Sequence, residues 1–343
     1  MPTIFLKRAV FCCLLLLQPL LLLAQAVTAP LNKDYYYLLE RYQMLSGYAD
    51  AGYHPTVLPL TRKQIAEVAS FAHDSTGGLS PQDKFNLAML KADNWEWAGD
   101  LGEVNVKKPL LRHFYRRQSD FYFVDEEDFQ LHVNPVAYFA AGHDPELPNT
   151  PFVNTRGVQI RGQISKKVGF YTLLADNQLR APDYAWDFVE KQQAVPGEIF
   201  WKDHANGGAD FFHAAGHITF DLVKNISFQF GQGRHFIGNG HRSVFLSDFA
   251  PNYLFARIDT RVWKFQYTNV FAKMTALYDR QIGNPYPVKY LAMHHLSLNV
   301  SPKLNIGFFE SVVFGRQDST GNSNFDLYYL NPVIFYRAVE HQL

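Results

Sequence analysis

The sequence predicts a mainly β protein: a transmembrane antiparallel β-barrel of the outer-membrane kind, preceded by a small N-terminal α-helical module. Three observations carry this. From about residue 120 onward, apolar and polar residues alternate with period two in one segment after another. The gaps between these segments are short and long in turn, as in outer-membrane barrels, whose short turns are periplasmic and long loops external. The chain opens with Lys7-Arg8, an apolar run from Ala9 to Leu23 and then Ala24-Gln25-Ala26, the pattern of a cleaved secretory signal.

Residues 1–26 are therefore expected to be a signal peptide and the mature protein to be exported. The run is short for a membrane helix, and no later run reaches the length a helical span needs. Both cysteines, Cys12 and Cys13, fall inside the signal, so the mature chain is expected to have no disulfide and no thiolate metal site. Lys and Arg together number 32, as do Asp and Glu, so nothing in the charge balance points to nucleic acid. The 29 Phe, 19 Tyr and 5 Trp suit strands with an apolar face turned to lipid.

Residues 27–118 read as a periplasmic helical module of three helices. Asp34 to Leu45 carries Tyr35, Leu38, Leu39 and Tyr42 at helical spacing, and Gly47 can end it. Thr61-Arg62-Lys63-Gln64 has the form of a capping box, followed by Ile65, Val68, Ala69 and Phe71. Ser80-Pro81-Gln82-Asp83 offers an N-cap, a proline at the first helical position and an acid in the first turn.

Residues 119–343 are assigned to the barrel, with about ten strands. The first is expected near 128–140, just after the acidic run Asp125-Glu126-Glu127-Asp128, which reads as a solvated segment. Alternation is clearest in 158–165, 212–222, 226–230, 263–268 and 295–300. Around Asn269 to Met274 its phase slips, which predicts a bulge or a misplaced boundary. Short turns are expected at 165–167, 223–225, 260–261 and 301–303, and long loops at 141–156, 177–209, 235–252, 278–289 and 315–326. The last strand is expected near 327–337. The chain then stops with no evident closing strand, so the barrel is expected to be incomplete.

The long loop that begins at Gly231-Gln232-Gly233-Arg234-His235 stands out. It combines Gly238 and Gly240 with Arg234, His235, Asn239, Arg242, Ser243 and Asp248. These polar groups can exchange hydrogen bonds with sugar hydroxyls, while Phe236 and Tyr253 can offer rings to a sugar face. Alternatively, Arg234, Arg242 and Asp248 form an internal ion-pair network that braces the loop, and both roles can coexist. His213 and His217 are too far apart along one strand to share a metal, and His294 and His295 point to opposite faces. No metal or other cofactor is expected. Ser243, Ser247, His235, His241 and Asp248 contain the residue types of a hydrolase, but no G-x-S-x-G elbow is present, and no catalysis is expected.

His132-Val133-Asn134-Pro135, Asn154-Thr155-Arg156-Gly157, Phe170-Tyr171 with Asp176-Asn177, Gly231 through Asp248, Leu330-Asn331-Pro332 and Phe335-Tyr336-Arg337 carry a likeness that covers roughly residues 110 to 343. In these motifs the chain resembles the Wzi family of capsule-assembly outer-membrane proteins, within the branch that includes proteins of gliding motility. The resemblance implies an eighteen-stranded outer-membrane barrel with a helical module at its periplasmic end. It also implies a non-enzymatic role in holding or assembling capsular or other surface polysaccharide. Expected partners are thus outer-membrane lipid, that polysaccharide, and periplasmic or outer-membrane export machinery. A channel or a gliding-motility component is the alternative.

Overall fold

In a computed structural model of the protein, residues 27–332 are described except 32, 49, 51, 100–109, 111–112, 144–149, 199, 205–206, 277–286 and 316–324. The expected signal peptide and the end of the expected last strand (333–337) lie outside the described residues. No helix among them is long and apolar enough to cross a membrane.

Three helices form the N-terminal module: α1 (Lys33–Ser46), α2 (Arg62–Ser75) and α3 (Pro81–Asp93). Helix α1 ends at Gly47, whose φ of 67° is the left-handed conformation glycine tolerates. The capping box is complete: the Gln64 amide donates to the Thr61 hydroxyl, and the Thr61 amide donates to the Gln64 side chain. Ser80 caps α3 by accepting from the Asp83 amide, with Pro81 at the first helical position. The apolar stripes meet in one core of Tyr36, Leu39, Tyr42, Ile65, Val68, Leu87 and Leu90.

The rest is mainly one eleven-stranded antiparallel sheet. Along its path run β2 (Tyr122–Glu126), β3 (Phe129–Ala141), β4 (Phe152–Ile164), β5 (Val168–Arg180), β7 (Gly208–Val223), β8 (Ile226–Gly233), β10 (Tyr253–Val262), β11 (Phe265–Thr275), β12 (Val288–Ser301) and β13 (Leu304–Phe314). The short β6 (Lys202–His204) pairs beside β7. Every neighbour pair along the path is antiparallel, and short turns alternate with long connections as the sequence predicts. The turn expected at 260–261 lies instead at 263–264, because β10 keeps its pairing with β11 through Val262, and β4 and β5 extend into the loops expected at 141–156 and 177–209. The edge strands β2 and β13 do not pair with each other, so the described sheet is not closed.

Several expectations change in detail. The sheet begins one strand earlier than expected: β2 and β3 form a hairpin, and the acidic run supplies the end of β2 and the turn. No bulge interrupts 269–274, where β11 keeps unbroken register with β10 and β12. The phase slips there because both faces of β11 are covered. Val270 and Ala272 pack on one side, and Phe271 packs on the other against Tyr329. The register shifts instead lie beside two short turns, at Asp221/Val223 and Asn299/Ser301. Leu327–Leu330, expected to open a strand, is a 3-10 turn, and the Tyr267 hydroxyl donates to the Pro332 carbonyl beyond it. The long connection after β5 holds an unforeseen helix, α4 (Asp183–Gln192).

The polar face of the sheet is the covered one. His132, Arg161, Gln229, Arg257, Thr268, His295 and Ser297 are buried, whereas Phe139, Phe212, Ile218, Leu254 and Phe308 on the opposite face are exposed. Contacts to the helical module come from strands spread across the sheet. Trp95 packs on His132 of β3, Glu96 pairs with Arg161 of β4, and Thr28 meets His217 of β7 and Gln229 of β8. His54 hydrogen-bonds Ser297 of β12 at 2.7 Å. A single compact module can touch so many strands only if the sheet curls around it.

Candidate functional site

The long connection from Arg234 to Asn252 folds back over the module-facing side of the sheet. Its start forms β9 (Phe236–Ile237), which pairs with β1 (Val57–Leu58) from the module. The Gly238 amide donates to the Thr56 carbonyl at 2.8 Å. Ile237 and Val57 are fully buried among Tyr253, Phe255, Val270, Ala272, Leu291 and Met293. Glycine has specific work at two places. Gly238 holds φ at 117°, and a Cβ on Gly231 would collide with the backbone of Gly216 and His217 on β7. Farther along, Phe245 stacks on Phe309 of β13 with ring centroids 4.0 Å apart.

The six polar residues singled out by sequence separate into two groups. Arg234, His235 and Asp248 line a cavity of about 250 Å³. Asn239 and Arg242 are exposed on the loop, with the Arg242 guanidinium 4.4 Å from the Phe249 ring. The Ser243 hydroxyl donates to the Ile237 carbonyl and accepts from the Phe245 amide, so it holds the turn's shape. Ser247 likewise accepts from the Phe249 amide. Neither hydroxyl is hydrogen-bonded to a histidine among the described residues.

The bracing network is present with different members. Arg234 donates to Glu198 at 3.0 Å, to Asn252 at 3.1 Å and to the Asp248 backbone carbonyl at 3.2 Å. Arg242 and the Asp248 carboxylate take no part. Glu198 also receives His213 Nδ1 at 2.6 Å, while Asn252 donates to His213 Nε2 and to the Ala214 carbonyl. Glu198 thus ties the connection after β5, strand β7 and the Arg234 loop together. Sequence reasoning missed it because it lies 36 residues from Arg234 in an unpatterned stretch.

The cavity lies between Thr28–Leu31 with Pro59 on the module side and the covered face of β5, β7, β8 and β10, and the Arg234 loop closes one side of it. Tyr171, His213, His217, His235 and Phe255 contribute rings to its wall. Tyr171 stacks on His217 at 5.1 Å, and the edge of Phe255 meets His235 at 4.4 Å. The Tyr253 hydroxyl accepts from the His235 amide at 3.0 Å and lies 3.1 Å from Nδ1 of the same ring. The Tyr171 hydroxyl is buried with no hydrogen-bond partner among the described residues.

A second polar cluster lies toward the short turns. Arg161 pairs with Glu96 and donates to the Asp93 carbonyl, and Arg62 donates to Asp93 and Asn94 at 3.0 Å. Asp120 receives Trp95 at 2.7 Å and His132 at 3.0 Å. Burial alone would raise the Asp120 carboxyl, yet His132, Arg161 and Trp95 hold it below the usual carboxylate range. Asp93 is likewise pushed up by burial and pulled down further by Arg62 and Arg161.

No family model, no curated protein and no solved structure matches the chain.

Proposed function

We propose that this protein is an outer-membrane β-barrel that attaches or assembles capsular or other surface polysaccharide without catalysing a reaction. The observation that carries the proposal is the combination on one sheet of an apolar exposed face and a polar covered face that ends in a loop-walled cavity. In this reading Phe139, Phe212, Ile218, Leu254 and Phe308 face lipid. The short turns and the module lie on the periplasmic side, and the Arg234 loop lies on the outer side. Since an open sheet edge in hydrocarbon leaves backbone groups unsatisfied, the reading requires further strands to cover β2 and β13. Export proceeds through the leader at residues 1–26, and helices α1–α3 are offered to periplasmic or outer-membrane export machinery. The resemblance of the Gly231–Asp248 and His132–Pro135 motifs to the Wzi family supports the polysaccharide part.

The test is the partition of surface polysaccharide between cells and medium when the gene is deleted and restored. Shedding with unchanged total synthesis is expected. Polysaccharide that stays with the cells removes the attachment reading and favours a channel or a motility component. Single-channel recording in planar bilayers then separates those two. The filling of the covered face by α1–α3, β1 and the Arg234 loop favours a closed state, so little conductance is expected.

A further inference from the structure

We propose that residues 325–332 form a membrane-contact strap. Its inner side seals a polar row on the outer face of β11–β13, and Leu327, Tyr328 and Leu330 on its outer side meet lipid hydrocarbon. This rests on the barrel part of the proposed function and not on its polysaccharide part.

The polar row is the first ground. Asn269, His294 and Glu310 stand in register near the middle of three neighbouring strands. Each lies two residues from Phe271, Ala292 or Val312 on its own strand, so all six share one face. That face is turned away from the module, and elsewhere it carries exposed Phe212, Ile218, Leu254 and Phe308. Ionisable side chains at membrane depth are costly against lipid, and they pair with other groups or turn toward protein. Here the row is covered, with Asn269 and His294 buried.

What covers it is the second ground. Phe325 meets Phe271, Tyr290 and Phe314 with ring centroids 6.5, 5.5 and 5.4 Å apart in turn. Tyr329 lies 4.6 Å from the Phe314 ring and clusters with Phe271 and Ala292. The Tyr267 hydroxyl, 2.8 Å from His294 Nδ1, donates to the Pro332 carbonyl at 2.6 Å and so joins the row to the strap. The Asp326 carboxylate accepts from the Tyr328 amide and holds the 3-10 turn.

The third ground is that the strap has two unlike sides. Tyr329 is 7% exposed, whereas Leu327, Tyr328 and Leu330 around it are 73%, 67% and 44% exposed. The strap therefore exchanges a polar surface for an apolar one. Contiguous exposed apolar side chains mark a contact surface, and on the outer face of a barrel the contact is lipid.

The test uses the full chain in phospholipid vesicles, photolabelled with a lipid-soluble aryl diazirine and mapped by mass spectrometry. Label is expected on Phe212 and Ile218 of the open face and on Leu327, Tyr328 and Leu330, with little on Phe271, Ala292 and Val312. Tyr267→Phe removes the donor to Pro332 and should raise labelling of Ala292 and Val312 about fivefold, the effect of one hydrogen bond on release of the strap. Tyr329→Ala removes a ring from the cluster and should raise it further. Label on Ala292 and Val312 as strong as on Ile218 in the unaltered protein, or none on Leu327, Tyr328 and Leu330, overturns the strap. Unchanged labelling in both variants overturns its sealing role. An unlabelled Ile218 instead removes the barrel reading, and the strap with it, so the two failures are told apart.

Discussion

The module is fastened to the sheet by charge toward the short turns and by apolar packing toward the long loops. In the first region Arg62, Asp93, Glu96, Asp120, His132 and Arg161 exchange hydrogen bonds across α2, the end of α3 and strand β3 or β4. In the second, Val57 and Ile237 join two short strands and pack among Tyr253, Phe255, Val270, Leu291 and Met293. The two fastenings should fail differently. A buried ion pair that loses one partner leaves a charge with nowhere to go, whereas an apolar cluster loses only the atoms removed and what cannot collapse around them. The charged end is therefore the more specific and the more fragile to single changes.

The largest expected effect follows directly. Arg161→Ala strands Glu96, of which only 3% of the side chain is exposed, and should destabilise the folded protein by about 3–5 kcal/mol. Urea unfolding in detergent measures it. Replacing the pair together by Met at both positions should recover much of that loss, because two apolar groups of similar volume can stand in for a buried pair. A double variant as unstable as Arg161→Ala would mean that the bond to the Asp93 carbonyl, and not the pair, fixes the module.

At the other end, Ile237→Ala should cost about 2–5 kcal/mol through the cavity left among Val57, Tyr253 and Met293. Its signature should differ as well as its size. Protease sites in the 238–250 loop should open while α1–α3 stay protected, since the Arg62 and Arg161 contacts remain in place. Cleavage within α2 at the same rate would erase the distinction between the two fastenings.

The two regions were not equally legible in the sequence. The charged end rests on helices whose limits are written locally. Thr61 and Gln64, Ser80 and Pro81, and Gly47 mark starts and stops through contacts within a few residues. Period-two alternation likewise placed the strands and told which face is polar, because each residue's face follows from its neighbours. The loop end depends on contacts distant in sequence. Val57 meets Ile237 180 positions further along the chain, and two-residue strands leave no periodicity to read. Arg234 was visible as a polar group in a glycine-rich loop, but its partner Glu198 had no pattern to announce it. Phe271 and Tyr329 misled for a related reason: covering both faces of β11 removes the polar half of the alternation. Helix α4 is ten residues long and sits inside a long connection with no side-chain N-cap to mark its start.

A smaller effect tests whether the charged end depends on the helices that present it. Thr61→Ala removes the acceptor for the Gln64 amide at the start of α2, next to Arg62. About 1 kcal/mol of stability should be lost. If α2 frays enough to shift Arg62, hydrogen exchange should rise at Asp93 and Asn94 as well as in the first turn of α2. Exchange confined to residues 62–65 would show that the Arg62 contacts hold the helix start on their own.

The mildest probe is pH. Asp83 is held at about 2 by its hydrogen bonds from Arg41 and Ser80, against an ordinary value of 3.8, and Asp93 and Asp120 are also depressed. A depressed carboxyl contributes stability that is fully present above its unfolded value and is lost as pH falls toward its folded one. Stability should thus be flat from neutral pH down to about 5, then decline between about 4 and 2 as the unfolded chain takes up protons first. The decline should belong to the charged end. Tryptophan fluorescence reports there through Trp95, which donates to Asp120, while the apolar cluster around Ile237 contains no carboxylate to protonate. Exposure of the 238–250 loop to protease in the same pH range, ahead of any change at Trp95, would reverse the assignment.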